Sequence, residues 1–596
     1  MSNQHYDKYV PDSGPLDAKI IFVGEAPGET EMEQGAPFVG PSGSVLNNTL
    51  NNLGLTRDDV RYANLCHYRP YANKFENLIG SQVLKQGLGE LYDHIKHHKP
   101  NLIVPLGAFP LLFLTGKKGI KRYRGSILSY INDESIKVIP TFHPSAVLRE
   151  GALFPTFNID LRRIVSDAAF PEKNLPVREF HVNPSGLQLR EWTDRLCTSE
   201  YLGTDIETVK RSKHILCVGF SPDPAIAVCI VPEDEEKRGA IRTILESSAK
   251  KVFQFGNFDY RQLVDNGYTV NDPDARAVGR LYWWDTLVAQ HAQSPELPRS
   301  LEYLTSVYTR EPYYKTEGRG TIPDDNKGWN IRTNRNALYE YNCRDCCCTS
   351  EIYRIQNEEL YGDNSDRFDR DTFEHEMSLI DTADELSSSG MMIDQDRRRL
   401  LEIALLGKWQ KKQFILDRMV GYETNVRSPK LKDVLYGKDY LGLPTRRNRD
   451  GSITTDEDAI VSLIAFCKDK LDSVVREETK LDWRIKLAVC QTILEIRGIR
   501  QVLSNYVLEQ QRNKSFRASS DGRIRSTVKI AGTETGRTSA SKYLDGTGWN
   551  AQTLPRDPIE VEDSELTLHE GVLKLKSQLS AEDFEVEDEE EEYEVA

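Results

Sequence analysis

What this sequence has little of narrows it first. No apolar run approaches the roughly 20 residues that a membrane helix needs, and no charged-then-apolar leader opens the chain. The expectation is therefore a chain with no membrane partner. Its 596 residues carry 39% apolar and 28% charged side chains, the balance of a globular chain with room for three or four domains. Ten cysteines fall into no paired framework, and residues 1–65 contain none. Four crowd into the stretch CRDCCC (Cys343, Cys346, Cys347, Cys348). No CxxC…CxxC or Cys/His set accompanies them, so they read as free thiols in a reducing cytosol, packed on a helix, rather than as disulfides or a zinc site. Net positive charge is also missing. Residues 558–596 hold fifteen Asp/Glu against two Lys, −13 of the chain's −15, which leaves the other 557 residues near −2. A nearly neutral body is compatible with basic grooves offset by acids elsewhere. The end reads as a disordered acidic tail.

What is present is organised around two carboxylates. The run YLGTDIET alternates as a half-buried strand does, so Asp205 and Glu207 share one face. Two hard oxygen ligands on one face suit Mg²⁺ or Mn²⁺. By itself such a pair is also common at solvated strand ends. Two later pieces change its weight. KVFQFGNFDYRQL is a short apolar strand running to Asp259, and ALYEYNCRDCCCTSEIYRIQ is a helix with Tyr341 and Asp345 four residues apart, on one face.

In this order and spacing, these elements resemble motifs I, II and III of the DEDD 3′–5′ exonucleases, and the Tyr-x-x-x-Asp form indicates the Tyr subclass. YWWDTLVAQHAQ looks like the family's Asp-Thr helix, here Asp285 and Thr286. The resemblance covers about residues 176–358. It implies a ribonuclease H-like α/β layout, with YLGTDIET, HILCVGFSP and AIAVCIV as an antiparallel meander. It also implies that Asp205, Glu207, Asp259 and Asp345 bind two ions about 4 Å apart and that Tyr341 orients the attacking water. One departure is visible. The Asn that usually stands four residues before the motif II Asp is Phe255 here, and Asn257 is the substitute at hand.

Ahead of this region, strands AKIIFVG, VRYANLC, NLIVPLG and SIKVIPTF alternate with helical stretches, which implies a parallel α/β sheet. GEAPGETEMEQGAPFVGPSG and TFHPSAVLR resemble the uracil-DNA glycosylase superfamily, closest to family 4. The resemblance places Glu25 in the first motif and Phe38 where an aromatic ring stacks on the flipped base. It places Asn64 where an amide reads the base edge and His143 where a histidine faces the leaving base. A flipped base needs that set: a stacking face, an amide and a polar group for the departing anion. Family 4 enzymes hold an iron–sulfur cluster on four cysteines. Here the early pair is absent, Tyr68 stands at the third position and Gly87 near the fourth, so no iron–sulfur cluster is expected. Whether uracil is excised stays open.

After residue 366 the pattern is helical, and it resembles the thumb of family A DNA polymerases. GTETGRTSAS…NAQTLPRD resembles the start of their palm. There Arg537 would hold primer–template phosphates, and Asn550 and Gln552 would reach the minor groove. The family's catalytic palm and fingers motifs do not follow within residues 558–596.

The expected architecture is an α/β multidomain chain. It runs as a leader (1–16), a glycosylase-like parallel α/β domain (17–170), a linker (171–186) and an exonuclease domain (187–358). A mostly helical thumb-like region (366–520), a truncated palm start (521–557) and an acidic tail (558–596) complete it. The expected function is the proofreading 3′–5′ exonuclease portion of a split or truncated phage family A DNA polymerase, cytoplasmic in an infected bacterial host. It would act on single-stranded 3′ ends and primer–template DNA, with a second polypeptide supplying the rest of the palm and fingers. The alternatives are a non-catalytic DNA-binding scaffold for a separate polymerase half, and a uracil-DNA glycosylase as the main activity.

Overall fold

The structure is a computed structural model that describes residues 8–209, 213–270, 283–315, 335–363, 368–448, 451–508, 517–543, 548 and 550–553. The chain divides into two compact units. One takes in the residues up to 382 together with 530–538, and the other takes in 383–529 and the residues from 539 on.

The first unit holds two sheets. The N-terminal sheet is built from β1 (Ile20–Gly24), β2 (Arg61–Asn64), β3 (Leu102–Pro105), β4 (Leu128–Tyr130) and β5 (Asp133–Val138), in the order β2-β1-β3-β5-β4. β1, β2, β3 and β5 are parallel, and β4 pairs antiparallel to β5. The run IIFVG is buried at every position because apolar clusters cover both faces of the sheet. Such two-sided burial is why parallel strands read as continuous apolar runs. The four parallel strands were legible in the sequence, whereas the short β4 was not.

The expectation of a loose leader fails for residues 8–16. Val10 is buried and donates its N–H to the His67 carbonyl, and Ser13 bridges to Tyr62. The expected linker also needs correction. Glu179–Val182 forms β6, which pairs in parallel with β9 (Ile226–Ile230).

The second sheet completes with β7 (Tyr201–Thr208), β8 (Ile215–Asp223), β10 (Lys250–Phe253) and β11 (Trp283–Asp285), in the order β11-β10-β7-β8-β9-β6. β7, β8 and β9 form the expected antiparallel meander, and β10 joins β7 in parallel. The helix Arg335–Tyr361 lies against this sheet. A side chain on Gly203 would come 2.4 Å from the Cys346 carbonyl oxygen, and one on Gly219 would come 2.2 Å from Asn342 Oδ1. Only glycine permits that approach. Cys343, Cys346 and Cys347 pack there with Cys217 and Cys229, as small buried residues should.

The two sheets' modules dock within this one unit. Arg124 pairs with Asp160 and donates to Ser306 Oγ at 2.8 Å. Thr156 Oγ1 lies 3.1 Å from the Tyr303 hydroxyl, and Arg310 reaches Asp167 at 2.5 Å.

The second unit is mostly helical, as expected. Gln395–Val420, Glu457–Ser473 and Glu477–Val502 share an apolar core that includes Trp409, Leu463 and Ile493. β12 (Met391–Met392) pairs with β13 (Arg523–Ile524), and β14 (Ser526–Lys529) pairs with β15 (Ser539–Lys542). The break between units falls near residue 382, later than the 366 expected. The acidic tail lies outside the described residues. Among the described residues no helix is long and apolar enough to cross a membrane.

Candidate active sites

The first site is a carboxylate cluster. Asp205 and Glu207 project from β7 toward the helix Arg335–Tyr361, which contributes Asp345. One oxygen from each of the three carboxylates lies within 4.8 Å of the others. Asp259, on the helix Gly256–Asp265, is buried beside them and accepts the Ile206 backbone N–H at 3.2 Å. Crowding and burial act on all of them. Burial and then the Asp345 charge push the Asp205 carboxyl up to about 8, against the pull of Lys315 and an Asn342 hydrogen bond. Glu207 rises through burial and the charges of Asp205 and Asp345, and Asp259 through burial and Asp205. Acids driven toward neutrality by one another are what a bound cation relieves. The set consists of hard oxygens only, so it fits Mg²⁺ or Mn²⁺.

Several residues around the cluster were not singled out from the sequence. Asn342 Nδ2 donates to Asp205 Oδ2 at 2.7 Å and so fixes that carboxylate. Lys315, 6% exposed, places Nζ 2.7 Å from Asp345 Oδ2 and 2.5 Å from the Tyr341 hydroxyl. The Tyr314 hydroxyl donates to Asp345 Oδ1. Burial alone would lower the Lys315 ammonium, but Asp345, with Asp205 and Glu207, more than offsets it and holds it above an ordinary lysine. Tyr314 and Lys315 lie past the end of the helix Leu301–Tyr308, where no periodicity marks them. Phe255, at the anomalous motif II position, caps its helix with φ of 58°. Its N–H and that of Gly256 are both held by the Asp285 carboxylate, at 3.1 and 2.9 Å. Asp285 therefore shapes this turn and also caps the helix Thr286–Gln293. Asn257 is buried in the first turn of the Phe255-capped helix.

The second site lies at the C-terminal ends of the parallel strands, where open α/β sheets present ligand crevices. Glu25 follows β1, Asn64 ends β2, and His143 follows β5 at the start of the helix Pro144–Arg149. Phe38 joins them from a loop. Its φ is 54°, a left-handed conformation costly for an aromatic residue, and the loop is pinned accordingly. Its carbonyl accepts from Asn47 Nδ2 and Arg57, both at 3.0 Å, while its N–H goes to Glu31. Gly24 makes room for the site, because a side chain there would come 2.5 Å from Asn64 Oδ1 and 2.7 Å from Phe38 Cζ. The rings of Phe38 and His143 are 6.4 Å apart.

The His143 Nδ1 accepts the Ser145 backbone N–H at 3.1 Å, which leaves the proton of a neutral ring on Nε2. Burial pushes this imidazole down to about 4, so it is neutral at pH 7. Glu25 goes the other way. Burial, with the Glu76 charge second, raises it to about 7. All four residues read from the sequence thus sit at one end of the sheet.

An iron–sulfur cluster does not fit this module. Cys66 is the one cysteine in residues 1–170. At the other positions, a side chain on Gly87 would strike the Leu65 carbonyl oxygen at 2.5 Å, and Tyr68 packs edge-on against Tyr9. A single thiolate cannot replace a four-cysteine set.

The three residues read as DNA contacts divide between the two units. Arg537 lies in the 530–538 segment of the first unit, where its N–H donates to Thr533 Oγ1 at 3.0 Å. The Thr533 carbonyl is in turn held by His291 Nε2 at 2.9 Å. Asn550 and Gln552 belong to the second unit. The Asn550 side chain accepts the Gln552 N–H, and that of Gln552 accepts the N–H of Ala540 on β15 at 3.1 Å.

Comparison with known proteins bears on the N-terminal module. Residues 11–162 match the family model "Uracil DNA glycosylase superfamily". A type-4 uracil-DNA glycosylase of Thermotoga maritima is 39% identical over 163 residues, which are 26% of this chain and 77% of that protein. One from Archaeoglobus fulgidus is 35% identical over 162 residues, 26% of this chain and 80% of that protein. Through this N-terminal module, the chain belongs to the uracil-DNA glycosylase superfamily. A DNA polymerase of Bacillus phage SP01 is 28% identical over 160 residues, 27% of this chain and 17% of that protein. The POL domain of Pol1 from M. smegmatis, solved with DNA primer-template and dNTP, aligns with 64% of this chain and 56% of its own. Its TM-score of 0.42 at 16% identity is too slight to define a shared fold.

Proposed function

We propose that this chain is a DNA-processing protein whose main activity is metal-dependent 3′–5′ exonucleolysis, the proofreading part of a phage-type family A DNA polymerase. The observation that carries this reading is the convergence of Asp205, Glu207 and Asp345 to within 4.8 Å, with Asp259 buried alongside. Asp205, Glu207, Asp259 and Asp345 are the residues that would hold Mg²⁺ or Mn²⁺. Such ions would supply an activated water and charge stabilisation for the leaving 3′-oxygen. Asn342 keeps the Asp205 carboxylate in place, and the Tyr341 hydroxyl orients the attacking water. The substrate is a frayed single-stranded 3′ end. The likeness to a phage DNA polymerase supports DNA as the partner. Trimming of a 3′-labelled single strand by wild type and Asp205→Ala tests the reading. Wild type should shorten the strand only with added Mg²⁺ or Mn²⁺, and the variant should not. Equal digestion by both would place the activity elsewhere.

A second activity is favoured by the N-terminal pocket, namely uracil excision without an iron–sulfur cluster. Phe38 would stack on the extruded base and Asn64 would read its edge. The neutral His143 would donate its Nε2 proton toward the departing base oxygen. Glu25, titrating near neutrality, is placed to act as a general base. Release of uracil from a single-stranded oligonucleotide measures it directly. Unchanged release by both Phe38→Ala and His143→Ala would reject these roles.

A further inference from the structure

We propose that Lys315 is a tethered counter-cation of the carboxylate cluster, one that holds Asp345 and Tyr341 in the absence of divalent ions and gives them up when ions load. The proposal rests on the exonuclease reading of this cluster. Three carboxylates sharing so small a volume repel one another, and the Lys315 ammonium sits among them, 2.7 Å from Asp345 Oδ2. An ion ligated through that oxygen and an ammonium in contact with it repel strongly at such range, so the two compete. The same ammonium lies 2.5 Å from the Tyr341 hydroxyl. While that contact lasts, the ammonium donates to the hydroxyl oxygen and fixes its position. Ions that displace the ammonium from Asp345 would therefore also end its contact with Tyr341.

Lys315 is also aimed. It belongs to the stretch 310–315, in which Arg310, Glu311, Tyr313 and Tyr314 grip fixed partners. Arg310 pairs with Asp167, and Glu311 takes Arg178 Nε at 2.7 Å. The Tyr313 ring stands edge-on to Tyr123 at 4.9 Å, and the Tyr314 hydroxyl bonds Asp345. Asp167 and Tyr123 belong to the glycosylase-like module, so the lysine is presented to one site by a strap anchored on the other module.

The test compares full-length wild type, Lys315→Met, Lys315→Arg and Asp205→Ala. Mn²⁺ binding is followed by the paramagnetic resonance of the free ion, and thermal unfolding is followed in EDTA and in Mn²⁺. Removing the competing charge should tighten Mn²⁺ binding roughly tenfold in Lys315→Met. That variant should also unfold at lower temperature than wild type in EDTA and recover in Mn²⁺. Lys315→Arg, which keeps a cation, should match wild type in EDTA. If Asp205→Ala loses Mn²⁺ while Lys315→Met binds it no tighter and is equally stable in EDTA, the proposal is wrong and the exonuclease reading stands. A Lys315→Met chain that does not fold even in Mn²⁺ also overturns it, because ions would then fail to replace the ammonium. If wild type and Asp205→Ala bind Mn²⁺ alike, the exonuclease reading itself fails.

Discussion

Tyr341 and Glu25 are single groups whose surroundings set what each does. If the Tyr341 hydroxyl orients the attacking water, Tyr341→Phe keeps the ring packed against Tyr314 and removes only the hydroxyl. A misplaced nucleophile costs about 10- to 100-fold, so Tyr341→Phe should lose that much trimming rate while still binding Mn²⁺ through the acids. Rate and Mn²⁺ affinity measured on the same preparation separate the two effects. For Glu25 the sign of the pH dependence follows from its environment. Burial raises its carboxyl to about 7, and a general base acts as the carboxylate, so excision should climb as pH rises through about 7. Glu25→Gln should flatten that limb. The same shift has a stability consequence. A carboxyl raised in the folded protein favours folding most at pH values below the unfolded value of 4.5, and that contribution is lost as pH rises through about 7. The group is therefore held at a cost at neutral pH, which suits a catalytic role better than a structural one.

At the scale of elements, the carboxylate cluster depends on how closely the helix Arg335–Tyr361 approaches β7. Gly203 permits that approach, because a side chain there would come 2.4 Å from the Cys346 carbonyl and 2.5 Å from Ser350 Oγ. Backbone cannot yield as a flexible side chain does, so Gly203→Ala should move the helix that carries Asp345 away from the strand that carries Asp205. Overpacking of this kind costs about 1–3 kcal/mol, read from denaturant unfolding, and Mn²⁺ affinity should fall with it. Unchanged affinity in a destabilised Gly203→Ala chain would mean that the cluster tolerates the shift.

The elements behind both sites were legible wherever a period was strict. YLGTDIET placed Asp205 and Glu207 on one face, and the four-residue spacing of Tyr341 and Asp345 held on a helix. The run IIFVG announced a strand buried on both sides. β6 was missed because EFHV sits half-exposed at the sheet edge beneath Pro-punctuated sequence, where pairing with β9 rather than pattern makes it a strand. Lys315 and Tyr314 were invisible for a different reason. They reach Asp345 from a stretch without secondary structure, and only tertiary folding brings such residues to a site. Asn342 lay in plain view on the Tyr341 helix, one residue past Tyr341. It stands three residues before Asp345, on the flank of that face, and its hydrogen bond to Asp205 on β7 and its packing on Gly219 of β8 exist only in the folded chain.

At the scale of the first unit, the N-terminal module and the module of the carboxylate cluster are joined by polar contacts that a buried ion pair anchors. Arg124 and Asp160 have side chains 4% and 1% exposed, Asp160 also accepts from Thr141, and Arg124 reaches across to Ser306. Burying two charges is expensive, and such a pair is best understood as fixing one arrangement of the groups around it. Removing one partner is the informative change. Arg124→Ala leaves the Asp160 carboxylate buried without its guanidinium and should cost about 3–5 kcal/mol. Residues 1–170 contain no tryptophan, whereas Trp192, Trp283 and Trp284 lie in the core around the second sheet. Tryptophan emission therefore does not report the N-terminal module directly. If the modules fold as one cooperative body, Arg124→Ala should lower the unfolding midpoint seen by far-ultraviolet circular dichroism and by tryptophan emission together. If the modules are merely adjacent, the substitution should introduce an early transition in the dichroism that the emission does not follow. Uracil-pocket and nuclease variants would then have to be interpreted separately, and the strap that carries Lys315 would lose its fixed anchor.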